Sequence, residues 1–227
     1  MTDQGKKLRI AIDGPGGSGK STAARRIAAD LRLTYVDTGA MYRAIGIKMK
    51  RLGLPFEDGP SLVALLEETD LDYRDGKMYM DGEDVSRAIR SQEASMLASA
   101  CSALPSTRRK LTAIQKRMAD EQSLVMDGRD IGTHVIPRAE VKFFLTATAE
   151  ERARRRCAEL KKRGDAPDFA HVLQETIQRD KNDSTRPIDP LRPAEDALII
   201  DSTALSEDQV VRLMEEVIRE RGFVADL

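Results

Sequence analysis

The sequence predicts an α/β fold built on a doubly wound, mainly parallel β-sheet. Short apolar runs bounded by turn residues recur along the chain, as expected of buried parallel strands. Segments whose apolar residues fall at helical spacing lie between these runs. Two turn signals, Asp75-Gly76 and Asp81-Gly82, indicate short antiparallel strands and therefore a small hairpin-containing insert within the alternating pattern.

The predicted elements follow one another in a regular order. The first part of the chain contains strands at 8–12 and 34–36 and helices at 21–31, 39–50 and 61–68. After the hairpin region at 71–84, helical patterns begin at Gln92, are interrupted at Pro105 and continue over 107–121. The last part contains strands at 124–126, 141–145 and 198–200 and helices at 149–162, 169–180 and 206–221. Ser206 is expected to cap the final helix because Gln209 follows three residues later.

The composition argues against several classes of protein. The 37 basic and 38 acidic residues nearly cancel and tryptophan is absent, so we expect neither a nucleic-acid-binding surface nor a base-stacking platform. The two cysteines, Cys101 and Cys157, lack the spacing of a zinc site or a disulfide framework, which favours a reducing compartment. No apolar run reaches the length of a membrane span or of a signal-peptide core. We therefore expect a cytoplasmic monomer without membrane or nucleic-acid partners.

A glycine-rich segment lies between the first strand and the first helix. Its sequence, Gly14-Pro15-Gly16-Gly17-Ser18-Gly19-Lys20-Ser21-Thr22, fills every fixed position of the Walker A pattern G-x-x-x-x-G-K-[ST]. Glycines let backbone N–H groups surround phosphate oxygens, and the following helix adds the positive end of its dipole. Lys20 would reach the β- and γ-phosphates, and the Ser21 hydroxyl would bind Mg²⁺. The segment predicts a P-loop NTPase that binds ATP.

A second candidate for the metal is Asp127, which follows the predicted strand at 124–126. A carboxylate at this position, usually called Walker B, often reaches Mg²⁺ through a water molecule. An aspartate at a strand end is also a common turn residue, so the sequence supports both interpretations.

Four further segments resemble the bacterial-type cytidylate kinases. Their sequences are Asp37-Thr38-Gly39-Ala40-Met41-Tyr42-Arg43, Asp127-Gly128-Arg129-Asp130-Ile131-Gly132-Thr133, Arg179-Asp180-x-x-Asp183-x-x-Arg186 and Asp201-Ser202-Thr203. Their order and spacing are similar to those of the family from about Leu8 to the final helix. The hairpin region around 75–85 also resembles the small extra domain that distinguishes this family from adenylate kinases. His134 departs from the family, which usually has an apolar residue there, but the motif before it is intact.

The resemblance implies transfer of the γ-phosphoryl group of ATP to CMP or dCMP. It identifies three residues as catalytic: Lys20, Arg129 and Arg186. It places on the acceptor phosphate Arg43, Arg129 and Arg186, with the Tyr42 hydroxyl nearby, and it gives Thr38 as a further substrate-binding residue. It assigns to the cytosine edge Ser99, Arg108 and Asp130, and to the ribose Arg179 and Asp183. Guanidinium groups suit phosphate oxygens, and a carboxylate suits the cytosine amino group. The i, i+4 spacing of Arg179 and Asp183 also suits a plain ion pair on a helix surface.

The resemblance further implies one P-loop kinase unit over 1–227, with an acceptor-binding insert at about 62–100 and a basic helical lid at about 150–164. A lid of this kind closes over ATP and excludes water. Within it, Arg152 and Arg156 are the residues expected to contact ATP. The alternative is a solvated helix face, on which the arginines pair with Glu150, Glu151 and Glu159.

Two other functions are consistent with a P-loop. A kinase of the same fold could act on AMP, another nucleotide or a sugar-like acceptor. A nucleotide switch or a nucleic-acid-linked ATPase would hydrolyse nucleotide without an acceptor. The chain has no Asn-Lys-x-Asp segment for reading guanine and no basic excess for a nucleic-acid motor. The predicted acceptor-site arginines and the insert favour a CMP or dCMP kinase.

Overall fold

A computed structural model describes residues 7–74 and 76–223 of the chain. These residues form two compact units. The insert unit is Val36–Glu121, and the sheet unit comprises the described residues up to Tyr35 and from Gln122 onward. The predicted turn at Asp75-Gly76 includes Asp75, which lies outside the described residues.

Both units contain strands and helices. The strands are β1 (Arg9–Asp13), β2 (Thr34–Asp37), β3 (Leu71–Arg74), β4 (Lys77–Met80), β5 (Glu83–Asp84), β6 (Leu124–Gly128), β7 (Val141–Thr146) and β8 (Leu198–Asp201). The α-helices are α1 (Lys20–Asp30), α2 (Thr38–Arg51), α3 (Pro60–Glu68), α4 (Gln92–Ser102), α5 (Pro105–Glu121), α6 (Ala149–Lys162), α7 (Phe169–Thr185) and α8 (Glu207–Glu220). A short 3₁₀ turn spans Ala88–Arg90, and a π-helical turn spans Ile131–Val135.

The sheet unit contains a five-stranded sheet with the strand order β2-β6-β1-β7-β8. The central strand β1 pairs in parallel with both β6 and β7, in agreement with the predicted parallel sheet, and its apolar residues are completely buried. Helix α1 packs against β6 and α8, and the core between them includes Ile12, Ile27 and Met214. Because the strands are parallel, their carboxyl ends meet at one edge of the sheet, which is where ligands bind in folds of this class.

Local signals predicted most helix ends, with two differences. Helix α7 continues to Thr185, five residues beyond the predicted end, and stops before Arg186, which has extended backbone angles. The next residue is Pro187, whose ring disfavours the helical conformation in the residue before it. Pro105 begins α5, where its missing N–H is not needed. The Ser206–Gln209 capping box is present as predicted.

The insert unit combines helices with a small antiparallel sheet. Helix α2 packs against α4 and α5, and the three strands have the order β3-β4-β5. The side chains of Met78 and Met80 on β4 are buried, so this sheet contributes to the core of the unit. No helix among the described residues combines the length and hydropathy needed to span a membrane.

Candidate active site

The predicted phosphate loop, residues 14–22, connects β1 to the first turn of α1. Gly14 has a φ of +145°, and a Cβ at this position would lie 2.0 Å from the carbonyl oxygen of Leu145. Only glycine can occupy such a position. Gly19, in the left-handed conformation, precedes α1, so the first N–H groups of the helix face the loop. Backbone donors and a helix N-terminus together form a site for phosphate.

Lys20 is buried within this loop. Its Nζ donates hydrogen bonds to the carbonyl oxygen of Pro15 at 2.6 Å and to Oγ of Ser18 at 3.4 Å. Burial, followed by the positive charge of Arg129, lowers the pKa of Lys20 to about 7. An anion placed at the loop would offset both effects, as a phosphate group does.

The two predicted metal ligands lie side by side. Oγ of Ser21 donates a hydrogen bond to Asp127 Oδ2 at 2.8 Å, and the hydroxyl of Tyr35 donates to Asp127 Oδ1 at 2.8 Å. A hydroxyl and a carboxylate are the oxygen ligands that Mg²⁺ prefers. Within the described ranges, no group of three or more His, Cys, Asp or Glu side chains could hold a metal ion. Ser21 and Asp127 thus offer one hydroxyl and one carboxylate group for such an ion.

Two guanidinium groups face the phosphate loop at Gly16. A Cβ on Gly16 would lie 3.2 Å from Nη1 of Arg179 and 3.4 Å from Nη2 of Arg129. Arg129 directly follows β6, whereas Arg179 belongs to α7, so distant parts of the chain supply this charge. Two of the predicted substrate-binding arginines thus flank the loop that contains Lys20.

Asp183 lies between these two arginines and is only 4% exposed. It accepts a hydrogen bond from Arg129 Nε at 2.8 Å, and Arg179 Nε is 3.9 Å away. Burial acts to raise the pKa of Asp183, but the charges of Arg129 and Arg179 outweigh it and the pKa lies below its ordinary value. The i, i+4 pair is therefore part of a charge cluster in which Asp183 is buried, Arg179 is partly exposed and Arg129 is the nearer partner.

Asp130 and Arg186 form a second buried ion pair. Arg186 Nη2 donates a hydrogen bond to Asp130 Oδ1 at 3.0 Å, and Arg186 Nε donates to the carbonyl oxygen of Asp189 at 2.8 Å. Asp130 is the residue expected at cytosine, and Arg186 is one of those expected at the acceptor phosphate. The two predicted roles thus fall on side chains that touch each other.

The arginines of the predicted lid segment have different surroundings. Arg152 is buried, donates to the carbonyl oxygen of Gly16 at 3.1 Å and forms a bidentate pair with Asp180. It thereby links α6, the phosphate loop and α7. Arg156 instead donates to Glu159 at 3.0 Å, as in the solvated-face alternative. Arg154 and Arg155 both pair with Glu151, and Arg155 also donates to Ser202 Oγ at 3.0 Å.

Five predicted acceptor residues belong to the insert unit. Thr38, Tyr42 and Arg43 lie on α2, Ser99 on α4 and Arg108 on α5. The guanidinium carbon of the buried Arg108 lies 6.0 Å from the centre of the Tyr42 ring, so the fold brings these two together. Ser99 is half-buried, and Thr38 is buried at the start of α2.

Asp37, which precedes α2, holds the arginine of this group in place. Its Oδ1 accepts from the backbone N–H of Ala40 at 2.9 Å and its Oδ2 from Arg43 Nη2 at 2.8 Å. The carboxylate therefore caps α2 and orients Arg43 at the same time.

Sequence reasoning did not assign roles to four residues that support the site: Asp13, Tyr35, Asp37 and Asp180. Asp37 and Asp180 belong to the segments that resemble the kinase family, so their acidic type next to arginines was an available signal. Tyr35 reaches Asp127 across 92 residues of sequence, and no local pattern indicates that contact.

Sequence comparison with known proteins gives matches over nearly the whole chain. The sequence model of the cytidylate kinase family matches residues 10–220. A cytidylate kinase from Caldicellulosiruptor bescii is 48% identical over 216 residues, which cover 93% of this chain and 96% of that protein. A cytidylate kinase from Syntrophotalea carbinolica is 47% identical, with 97% of this chain and 96% of that protein covered.

A solved structure with a similar fold is that of an uncharacterized protein from Eubacterium ventriosum. It has a TM-score of 0.50 and 13% identity, and the match covers 94% of this chain and 99% of the other. This likeness concerns the fold alone. The family model and the two cytidylate kinases, in contrast, match nearly the whole chain in sequence. The chain belongs to the cytidylate kinase family.

Proposed function

We propose that this protein transfers the γ-phosphoryl group of ATP to CMP or dCMP and releases ADP with CDP or dCDP. The observation that carries the proposal is the cluster of positive charge at one loop: Lys20 lies inside the Walker A segment, and Arg129 and Arg179 face Gly16 from outside it. Two polyanions repel each other unless cations lie between them. Such a cluster is what a phosphotransferase with an anionic acceptor requires.

On the donor side, the loop from Gly14 to Thr22 binds the phosphates of ATP through backbone N–H groups and the N-terminus of α1. Lys20 and the lid arginines stabilise the charge that develops on the transferring group. Arg152 and Arg156 are the proposed lid contacts. Arg152 supports this role because its guanidinium already reaches the Gly16 carbonyl oxygen.

On the acceptor side, guanidinium groups hold the CMP phosphate in line with the γ-phosphate of ATP. Arg43, Arg129 and Arg186 have this role, with the Tyr42 hydroxyl nearby, and Thr38 is a further substrate-binding residue. Ser99, Arg108 and Asp130 bind the cytosine edge, and Arg179 and Asp183 hold the ribose. Transfer is direct, without a covalent enzyme intermediate, because phosphoryl transfer depends chiefly on position and electrostatics.

Ser21 and Asp127 would hold Mg²⁺, Asp127 through water. The hydrogen bond between their oxygen atoms supports this assignment because it places two suitable ligands at one point. When bound there, the ion would supply positive charge that offsets the negative charge of the nucleotide phosphates. Tyr35 orients the Asp127 carboxylate through its hydroxyl.

An acceptor screen tests the proposal. ADP formation from ATP is measured in a coupled assay with CMP, dCMP, UMP, AMP and two sugar-like acceptors in turn. We expect CMP and dCMP to give rates at least about tenfold above the others, because a carboxylate that accepts from the cytosine amino group finds no such donor on uracil. The Lys20→Ala variant is the control for contaminating kinases. A preference for AMP or a sugar-like acceptor, or hydrolysis of ATP independent of any acceptor, would contradict the proposal.

We also propose that the enzyme works as a monomer in the cytoplasm without nucleic acid. Two free, buried cysteines and nearly balanced charge support this environment. Light scattering after size exclusion, with and without added single-stranded DNA, measures the mass of the particle. A mass of two chains, or a shift with DNA, contradicts it.

A further inference from the structure

The carboxylate of Asp13 makes a buried contact that the proposed function does not use. Asp13 ends β1 directly before the phosphate loop and is only 3% exposed. Its Oδ1 accepts from the backbone N–H of Ile131 at 2.8 Å, and its Oδ2 accepts from the backbone N–H of Gly132 at 2.7 Å. Both oxygen atoms are thus engaged by a segment 118 and 119 residues away in sequence.

The two donors are the first N–H groups of the π-helical turn Ile131–Val135. Such groups have no partner within the helix, and the side chain of the preceding residue commonly satisfies them. The preceding residue is Asp130, an aspartate suited to that task, yet its side chain makes no capping bond. It accepts instead from Arg186 Nη2 at 3.0 Å. Asp13 therefore replaces Asp130 as the cap.

The same residue also fixes the other side of this segment. In the parallel pairing of β1 with β6, Asp13 is the partner of Gly128, the last residue of β6. Its backbone is thus in register with the residue before Arg129, and its side chain binds the residues after Asp130. Arg129 and Asp130 lie between these two attachments.

Two side chains lie close to the backbone of Gly132. A Cβ on Gly132 would lie 3.4 Å from Asp13 Oδ2 and 3.1 Å from Cδ of Lys142. A side chain at residue 132 would therefore crowd Lys142 first and be in contact with the Asp13 carboxylate.

We propose that Asp13 is a positioning residue for acceptor selectivity: by capping the Ile131–Val135 turn from β1, it holds Asp130 and Arg129 in the orientation that binds the acceptor nucleotide. This inference rests on the proposed function, because Asp130 must read the cytosine edge. A carboxylate is required since both of its oxygen atoms accept. An asparagine would offer one acceptor and turn its NH₂ group toward the second N–H.

The test is steady-state kinetics of Asp13→Asn with CMP, UMP and ATP varied in turn. We expect the KM for CMP to rise about tenfold or more, and the KM for ATP to stay within about twofold. The ratio of kcat/KM for CMP to that for UMP is expected to fall about fivefold or more, because a displaced Asp130 no longer distinguishes an amino group from a carbonyl.

Glu140→Gln is the matched control. Glu140 also accepts from a backbone N–H, that of Arg9 at 2.8 Å, and from the Arg9 side chain, but at the opposite end of β1. Its loss should lower the melting temperature without changing either KM or the selectivity ratio. A purely structural Asp13 would give the same result as this control, and that outcome overturns the inference.

Gly132→Ala changes the residue that donates to Asp13 Oδ2, so it perturbs the same contact without altering Asp13. This variant provides the test if Asp13→Asn does not fold. Its Cβ would lie 3.1 Å from Cδ of Lys142 and 3.4 Å from the Asp13 carboxylate, so it would crowd the turn at this contact, and the selectivity ratio should fall in the same direction by a smaller factor. An unchanged ratio in the folded variant overturns the inference. The acceptor screen on the wild type distinguishes a wrong role for Asp13 from a wrong proposed function. If the wild type prefers CMP while both variants keep its selectivity, only the role of Asp13 is wrong. If the wild type does not prefer CMP, the proposed function fails as well.

Discussion

Replacing Lys20 with methionine should remove activity and increase stability. The side chain is buried, and its pKa falls from 10.5 to about 7 in the folded protein. A pKa lowered by one corresponds to about 1.4 kcal/mol, so the folded state near neutral pH bears a cost of at most about 5 kcal/mol for holding this charge. Methionine has similar length and no charge. We expect it to recover about 1–3 kcal/mol of the free energy of unfolding, because a lost hydrogen bond to Pro15 offsets part of the gain.

The sign of the pH dependence follows from the same lowered pKa. The unfolded chain keeps the Lys20 proton up to its ordinary pKa of 10.5, whereas the folded protein releases it near 7. Between these values the unfolded state binds more protons, so the wild type becomes more stable as pH rises. The advantage of Lys20→Met is therefore largest near neutral pH and disappears at about pH 10.

Urea denaturation followed by circular dichroism at both pH values measures these differences, and a coupled ADP assay measures kcat, which should fall about a hundredfold or more. Lys142→Met is the stability control, because this buried lysine has a carboxylate partner, Asp196, at 2.8 Å and should lose stability when replaced. A Lys20→Met protein that is less stable than the wild type at neutral pH would refute the charge argument. A kcat within about threefold of the wild type would refute the role of Lys20 at the phosphates.

Three further predictions concern the nucleotide sites and the insert unit. Binding of ATP should return the pKa of Lys20 toward its ordinary value. Calorimetry near pH 8 in two buffers of different ionisation enthalpy should therefore show that the wild type takes up about 0.9 proton more on binding ATP than Lys20→Met does. Equal proton uptake by the two proteins would contradict this. Asp183→Ala should raise the KM for CMP and dCMP about tenfold and leave that for ATP nearly unchanged, since it removes the ribose acceptor and the partner of Arg129; unchanged kinetics with both acceptors would remove Asp183 from the site. Met78→Ala should lower the free energy of unfolding, measured by urea denaturation, by about 2–4 kcal/mol because the Met78 side chain is buried. Met96 is exposed, so Met96→Ala should lower it by less than about 0.5 kcal/mol. Equal losses would show that β4 does not contribute to the core.

The sequence alone determined the features that depend on neighbouring residues. The phosphate loop could be predicted because its glycines, Lys20 and Ser21 act at fixed spacing within one strand–loop–helix segment. The Ser206–Gln209 capping box is local in the same way. Alternating apolar runs and helical patterns sufficed for a parallel α/β sheet, because burial on both faces of a sheet imposes continuous apolar strands. The acceptor residues came from resemblance to a family and not from any local rule, and their roles stay predictions.

Only the tertiary structure decided how the charges are paired. Arg129 pairs with Asp183 across 54 residues, Arg186 with Asp130 across 56, and Asp13 caps a turn 118 residues away. The i, i+4 spacing left open an ion pair of Asp183 with Arg179, yet the closer partner is Arg129, which follows β6. The order of the strands in the sheet determines which strand ends lie next to each other. The proximity of these ends then determines which carboxylate pairs with which arginine. No periodicity along the chain encodes it, because a buried charge is stabilised by whichever opposite charge the fold brings within a few ångströms.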